Sequence, residues 1–433
     1  MVSLEKLNEI LPSARLQELG ITYQVDKKNQ IRLPGKTVFL CLLHGLLHHK
    51  EITQRLLEET YVQLTGNTVD HSSFGKRLNV ISADYFEALF REVHGKVAAE
   101  APVSTLSTLK LRIVDATSVT LSAKILHFGL LVGTRSKEKP RRHIKSVIEL
   151  TDELPNFLHL CTDKTENADS IALGVTMRQH SNPGDLWIFD KGCHGRQRLL
   201  DIHEKEAFFL TPHTMQGLRI ERVLWNAESQ AENAEFPTIF HEKSATLPEK
   251  GPAGFVLVRV EQGFFENSQT KQNKRWDALP LLIVHGLRFD TRSKSWKPLI
   301  LMTNLAVSSD EKQAGPFTFE ELAEVYQRRW DIEVFFKFVK QHLSYSHLLS
   351  RSENGIRVMI YMSLIAATLL IWYKAQTGID RGWRSVKSWL AFDSQKWLVQ
   401  ALRDTFTAED YAENFPAQQH YKRYAPATTL QRK

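Results

Sequence analysis

Residues 109–122 of the chain read LKLRIVDATSVTLS, a stretch in which apolar and β-branched side chains lead into an aspartate, Asp115. This composition predicts a strand, a turn and a second strand. Residues 144–152 (IKSVIELTD) and 156–163 (NFLHLCTD) have the same strand character. This part of the chain is therefore predicted to open with a run of strands.

The pattern changes after these strands. Residues 166–180 (ENADSIALGVTMRQH) have apolar side chains at helical spacing, and residues 185–191 (DLWIFDK) form a short apolar run that ends at Asp190. A second helical stretch at 195–206 precedes the strand-like AFFLTP at 207–212. Strands first, followed by alternating strand and helix, predict an α/β fold: a mixed sheet with helices packed on it.

The first hundred residues are predicted to be helical. Apolar residues recur at helical spacing in three stretches, at 37–49, 52–64 and 84–97. A further short helix begins near residue 70, with Ser72 or Ser73 as its predicted N-cap. A helix-turn-helix-like DNA-binding unit and a plain helical bundle both fit this region.

A β-rich insertion is predicted at 213–312, where three strand-like runs alternate with polar loops. Its strand-like runs are GFVLVRVEQG, LPLLIVHGLRF and PLILMTNLAV. The predicted domains are an N-terminal helical, DNA-binding domain (1–102), a catalytic core (103–212 and 313–375) interrupted by the insertion (213–312), and a C-terminal helix with a basic tail (376–433).

One long helix is predicted at 318–343, where Thr318 and Glu321 form a capping box. At about 100° per residue, four polar residues share one narrow face of this helix. They are Tyr326, Arg329, Glu333 and Lys340. Large aromatic side chains, Trp330 and Phe336, border that face, so a lined site is favoured over a plain solvent-exposed stripe.

The net charge of +7 and the sequence pI of about 9.1 favour a polyanionic partner. The three cysteines are far apart in sequence, which predicts no disulfide framework and fits a reducing cytoplasm. The apolar run at 358–373 is shorter than the roughly 20 residues that cross a bilayer. It is predicted to be a buried core helix, and no membrane partner is expected.

Three acidic residues on three separate predicted elements are candidate metal ligands: Asp115, Asp190 and Glu333. Carboxylate oxygens suit Mg²⁺ or Mn²⁺, and a pair of such ions can activate an attacking oxygen and stabilise a leaving one. The sequence has no P-loop and no dinucleotide fingerprint following a strand. No side-chain nucleophile stands out, which is consistent with metal-based chemistry.

The segment TRSKEKPRRHIK at 134–145 holds six Lys or Arg residues from position 135 onward. It lies between two predicted strands of the candidate core, so a phosphate-binding role is predicted for Arg141, Arg142 and Lys145. A solvated basic loop is the alternative interpretation of the same segment.

The spacing of Tyr326, Arg329, Glu333 and Lys340 matches the Tyr-x2-Arg-x3-Glu-x6-Lys signature, and the surrounding YQRRWDIEVFFKFVKQHL resembles the same block in DDE transposases of the insertion-sequence-four family. IVDATSV around Asp115 and IFDKGCHG around Asp190 resemble the two aspartate motifs of that family. The chain departs from the second motif, because Cys193 and His194 stand where an aromatic residue is usual.

The resemblance implies a ribonuclease-H-like core in which Asp115, Asp190 and Glu333 hold two Mg²⁺ or Mn²⁺ ions. It also implies that Tyr326, Arg329 and Lys340 contact phosphates of double-stranded DNA, at element ends and target. A homodimer on DNA, acting at the bacterial nucleoid, is expected. A catalytically silent DNA-binding regulator and a related nuclease without strand transfer are the alternatives. The three carboxylates and the extended signature favour the transposase.

Overall fold

A computed structural model describes most of the chain. The described residues are 4–26, 33–100, 109–121, 129–131, 142–151, 153–161, 164–193, 195–226, 255–265, 279–290, 293–307, 313–347 and 349–403. The helices are α1 (Leu4–Ile10), α2 (Ser13–Thr22), α3 (Gly35–His48), α4 (Gln54–Thr65), α5 (His71–Val80), α6 (Ala83–Glu100), α7 (Asp169–His180), α8 (Arg196–His203), α9 (Phe319–Gln327), α10 (Arg329–His342), α11 (Glu353–Thr377) and α12 (Trp383–Arg403).

The strands are β1 (Lys110–Thr120), β2 (Leu130–Leu131), β3 (Arg142–Thr151), β4 (Leu154–Cys161), β5 (Asp185–Ile188), β6 (Phe208–Pro212), β7 (Leu218–Asn226), β8 (Phe255–Phe265), β9 (Leu281–Asp290), β10 (Ser295–Thr303), β11 (Gln313–Ala314) and β12 (Phe317–Thr318). Strands β11 and β12 pair only with each other. The other strands form one sheet.

That sheet has the order β2-β3-β1-β5-β6-β10-β9-β8-β7, and β4 also pairs with β3. Strands β1, β5 and β6 are parallel to one another. Strand β3 runs antiparallel to β1, and β10 runs antiparallel to β6. The prediction of a mixed α/β sheet is therefore confirmed.

Both faces of the sheet are covered. Along β1, Ile113 packs into one hydrophobic core and Val114 into another, because successive side chains of a strand point to opposite faces. On β3, Ile148 and Val147 divide between the two cores in the same way. This part of the sheet is thus buried on both sides, as is usual for parallel strands.

Helices α1–α6 pack together with α11 and α12, and α6 against α11 is the most extensive of these contacts. Helix α11 is long and apolar enough to cross a membrane by length and composition, but 89% of its most apolar window lies inside the protein. This burial supports the prediction of a core helix for 358–373.

Two local predictions are wrong. Residues 109–122 contain no turn between two strands: β1 is continuous from Lys110 to Thr120, because it pairs with β3 from Arg112↔Thr151 to Thr120↔His143. The N-cap of α5 is Asp70, whose carboxylate accepts the backbone N–H of Ser72. Pairing to a neighbouring strand overrides the local turn preference in the first case.

The one long helix predicted at 318–343 is divided into two helices. Helix α9 ends at Gln327 and α10 begins at Arg329, although Arg328 between them keeps a right-handed helical backbone. The capping box is confirmed, since Thr318 and Glu321 bond reciprocally at the start of α9.

The described strands of the insertion, β7–β10, continue the core sheet beyond β6. Three of these strands cover the predicted strand-like runs, and β7 (LRIERVLWN) is an additional strand that the sequence pattern did not indicate. The predicted domain boundaries themselves stay a prediction.

Candidate active site

Asp115 and Asp190 lie at the same level of the sheet. In the parallel ladder between β1 and β5, Ile113 is paired with Ile188, and each aspartate comes two residues later along its own chain segment. Strand β5 has ended at that point, whereas Asp115 is still within β1. The register of β1 and β5 thus places these two aspartates near each other.

The Asp115 carboxyl is largely buried and accepts a hydrogen bond from the backbone N–H of Ala116 at 2.7 Å. Burial raises its pKa to about 6, while the Ala116 hydrogen bond and the charge of Arg329 act in the opposite direction. The negative charges of Asp169 and Asp190 raise it further. Burial is thus the main reason that the charged form of Asp115 is disfavoured, and a nearby cation would favour that form.

Glu333 lies on α10, the helix that packs against β1. The Arg329 guanidinium, four residues earlier, pairs with its carboxylate at 2.6 Å. Burial lowers the pKa of Arg329, but its hydrogen bond to Glu333 and the nearby acids outweigh burial and leave it raised. Asp190 is one of those acids, and the charge of Arg329 also acts on Asp115.

Arg329 is therefore the charge that all three predicted acids share. Glu333 is in direct contact with this guanidinium, whereas Asp115 and Asp190 are near enough for its charge to act on them. Within the described residues, however, these acids do not bring their oxygens all within 4.8 Å of one another.

The other signature residues surround the same point. Tyr326 is buried in α9; burial raises the pKa of its hydroxyl to about 12, and it interacts with both Arg329 and Asp190. Lys340 is partly buried, which lowers the pKa of its ammonium, and the charge of Asp115 acts against this shift. The four residues that share a helical face in sequence thus converge on the aspartates, despite the break at Arg328.

A cleft of about 610 Å³ lies next to the guanidinium of Arg329. Arg288 and Phe289 of β9 line one part, and residues around the junction of α9 and α10 line the rest. Trp330 is among them and exposes 53% of its surface. A basic and aromatic lining of this kind suits a nucleic acid strand, because guanidinium groups bind phosphates and aromatic rings stack on bases.

The basic segment is only partly described. Arg141 lies outside the described residues, and Arg142 at the start of β3 donates to the carbonyl of Gly129. Lys145 exposes only 3% of its side chain: its ammonium pairs with Asp169 at 2.5 Å and donates to the carbonyl of Asn167. The Lys145 side chain therefore does not reach an open surface, and we do not propose that it contacts a phosphate.

Asp169 is a site residue that the sequence interpretation missed. It is the first residue of α7, its charge acts on Asp115, and both acids act on the buried thiol of Cys193. Its only sequence signal is an acid at the start of a predicted helix, where the helix dipole favours negative charge. That signal is too common to indicate a site.

The acids lie in β1, just beyond β5 and on the later helix α10. Acidic residues on a mixed sheet in this way are typical of enzymes that use metal ions to transfer phosphoryl groups. Comparison with known families identifies the class: residues 107–369 match the family model described as "Transposase DDE domain". The match spans more than half of the chain, which belongs to this family. The resemblance to DDE transposases is confirmed, and the family is consistent with the insertion-sequence-four group.

Individual relatives agree. The chain is 40% identical over 70 residues to a putative transposase for insertion sequence element IS4SA of Synechocystis, a match over 16% of this chain and 20% of that protein. It is 27% identical over 289 residues to the putative transposase y4zB of Sinorhizobium fredii, covering 65% of this chain and 67% of that one. A probable transposase for insertion sequence element IS5377 of Geobacillus stearothermophilus is 41% identical over 58 residues, which are 13% of this chain and 15% of the relative.

Among solved structures, this chain is similar to the transposase chain of a piggyBac transposase synaptic complex with hairpin DNA. The match covers 91% of this chain and 76% of the piggyBac chain. The identity is 9% and the TM-score is 0.42.

Proposed function

We propose that this chain is the transposase of an insertion sequence: it binds the element's ends, cleaves DNA by hydrolysis and transesterification of phosphodiesters, and joins the 3′-ends to target DNA. The observation that carries the proposal is the gathering of Asp115, Asp190 and Glu333 around Arg329 in a chain of the DDE transposase family.

A ribonuclease-H-like core is part of this proposal. The order β4-β3-β1-β5-β6 supports it, with β1, β5 and β6 parallel and β3 antiparallel between β1 and β4. In this arrangement the first two acids come from adjacent parallel strands, and the third comes from the helix that returns to β1 after the insertion.

We propose that Asp115, Asp190 and Glu333 hold two divalent cations, Mg²⁺ or Mn²⁺. The donor set fits, because carboxylate oxygens are hard ligands, and a cation at Asp115 would offset the burial that raises the pKa of its carboxyl. When bound, such ions activate the attacking oxygen and stabilise the leaving oxygen.

The residues of the chain then have distinct tasks. Arg329 pairs with Oε1 of Glu333, and a carboxylate can accept such a contact and coordinate an ion at the same time. The Arg329 guanidinium has the fork geometry that binds a phosphate through two parallel hydrogen bonds. Tyr326 and Lys340 lie close enough to the aspartates to contact the same DNA strand.

Binding of DNA outside the acidic cluster is assigned to Arg141, Arg142 and the cleft that includes Arg288 and Trp330. A homodimer that pairs two element ends completes the proposal, since joining both ends requires two active sites. The net charge of +7 supports a polyanionic partner.

The test is cleavage of duplex DNA that carries the element's own ends, in Mg²⁺ or Mn²⁺, by wild type and Glu333→Gln. We expect the variant to keep end binding and to lose at least about a thousandfold in cleavage rate, because several kcal/mol of metal-dependent stabilisation is removed.

Glu153→Gln is the matched control. It removes another arginine-paired glutamate near α10, the exposed partner of Arg328, and should cleave like the wild type. Undiminished cleavage by Glu333→Gln removes Glu333 from the site. Wild type that binds without cleaving indicates a silent regulator, and cleavage without joining indicates a nuclease.

A further inference from the structure

A second cluster of potential metal ligands lies where β4 ends. His159 and Cys161 are two residues apart on this strand, so their side chains share one face of the sheet. Glu166 belongs to a short 3-10 helix at Lys164–Asn167, which comes after β4 along the chain. One ligand atom of each residue lies within 4.8 Å of the other two, and His159 Nε2 is 2.6 Å from Glu166 Oε1.

The surroundings of these three residues are those of a site closed to bulk water. Cys161 is 4% exposed and Glu166 is 6% exposed, while His159 keeps about a quarter of its side chain accessible. Burial raises the pKa of the Cys161 thiol to about 12, and the negative charge of Glu166 adds to that shift. The charge of Asp169 also raises this pKa, while that of Lys145 acts in the opposite direction.

The cluster is separate from the proposed catalytic acids. Strand β4 lies on the far side of β3 from β1, which carries Asp115. The ligand chemistry also differs: the catalytic group offers only carboxylates, whereas this one offers nitrogen, sulfur and oxygen. Hard ions such as Mg²⁺ prefer the first set, and the borderline-soft ions of the zinc class prefer the second.

We propose that His159, Cys161 and Glu166 bind one divalent cation of the zinc class. Zinc takes sulfur, nitrogen and oxygen ligands at about 2.0–2.3 Å in tetrahedral geometry. On binding, the thiol gives its proton to solvent and becomes a thiolate ligand. His159 coordinates through Nε2 with its proton on Nδ1, and Glu166 exchanges its contact with His159 for the metal. Three protein ligands leave a fourth position for water.

Such an ion would join β4 to the turn that leads into α7. Asn167, the last residue of that turn, accepts a hydrogen bond from Lys145, and Lys145 pairs with Asp169 at the start of α7. The metal would therefore fix the segment that positions Asp169 beside the catalytic acids. Its role is structural, and it involves none of the proposed catalytic carboxylates.

The experiment uses Co²⁺ as a spectroscopic probe on the full-length protein. We expect one equivalent per chain to give thiolate-to-cobalt charge transfer in the near ultraviolet together with the visible bands of a tetrahedral site, and Zn²⁺ to displace it. The charge-transfer band requires a cysteine ligand, so Co²⁺ bound to the catalytic carboxylates cannot produce it.

Four variants complete the design. Cys161→Ser and His159→Gln should each lose the band, and Cys41→Ser, which changes another buried cysteine, should keep it. Asp115→Asn should also keep it, which separates this site from the catalytic one. His159 is partly exposed, so His159→Gln remains informative if Cys161→Ser does not fold. A wild type without the band, or a band that persists in either cluster variant, overturns the proposal.

Discussion

Strand β1 carries two charged residues within its buried part, Arg112 and Asp115, and their surroundings differ in a telling way. Arg112 pairs with Glu149 at 2.7 Å and with Asp185 at 2.8 Å, and its guanidinium lies over the ring of Trp187. Its partner Glu149 also accepts hydrogen bonds from two neighbouring side chains, those of Thr151 and Asn156.

Asp115, three residues away, makes no such direct pair with a cation among the described residues. It accepts the N–H of the next residue, and the charges of Arg329, which pairs with Glu333, and of Lys340 interact with it. In the first group both carboxylates are in direct contact with one guanidinium, whereas Asp115 in the second is not. We expect the first arrangement to serve folding and the second to serve ligand binding.

The largest expected effect breaks the first group. Arg112→Met leaves Glu149 and Asp185 buried without their shared cation, so the free energy of unfolding should fall by about 3–5 kcal/mol. Urea unfolding measures this change. Arg178→Met is the control, since Arg178 makes an exposed pair with Asp201 and its loss should cost under about 1 kcal/mol. Equal losses in the two variants would show that the Arg112 group is not the structural one.

The second prediction tests the unbalanced charge at Asp115. The pKa of the Asp115 carboxyl is about 6 in the folded protein and 3.8 for an ordinary aspartate. Between these pH values the folded protein therefore binds more protons than the unfolded chain. Stability of the metal-free protein therefore falls as pH rises through that window. Asp115→Asn should raise the free energy of unfolding by about 1–3 kcal/mol at pH 7.5.

The same variant should gain almost nothing near pH 2.5, where the carboxyl is protonated in both states. Urea unfolding in chelator across this range gives the measurement. A gain that does not vary with pH would assign the stabilisation to packing instead of titration.

Metal affinity should follow the same titration. Protons compete with the cation for Asp115, so Mn²⁺ binding should weaken by about tenfold for each pH unit below 6 and level off above it. Asp190, Asp169, Arg329 and Lys340 are the charged groups that surround Asp115 and set the midpoint. Calorimetric titration with Mn²⁺ from pH 5 to 8 provides the test, and a flat profile would contradict it.

The smallest effect concerns DNA. Binding of element ends should weaken steeply with salt, and Lys340→Ala should reduce the slope of log affinity against log salt by about 1, the value for one lost phosphate contact. Lys337→Ala, on an exposed part of the same helix, is the matched control. A slope that Lys337 changes and Lys340 does not would move the phosphate contact to the outer face of α10.

Much of the fold could be predicted because its signals are local. The apolar run that ends in Asp190 predicted this acid just beyond β5, and the capping box at Thr318 predicted the start of α9, whereas Asp115 lies inside β1 and not at its end. The register Ile113↔Ile188, which brings the two aspartates level, is a long-range property that no window of sequence contains.

Lys145 illustrates what local reading cannot supply. It belongs to a run of basic residues, which favours exposure, but the alternation of β3 turns it inward toward Asp169 on another element. The continuity of β1 through Asp115 is a similar case. The residues around Asp115 favour a turn by themselves, but pairing with β3 keeps them in the strand. The roles of the acids and of the basic residues remain predictions for the experiments above.

The pairing of β10 with β6 has an evolutionary consequence. The chain leaves the catalytic sheet after β6 and returns to its edge through Leu301↔Pro212 to Thr303↔Leu210, where the Asn304 side chain bonds to the backbone of both Phe209 and Ala207. This anchorage fixes where the chain re-enters, whatever the length of the excursion. The strands and connections between β6 and β10 could therefore change in length without displacing α10, which carries Glu333.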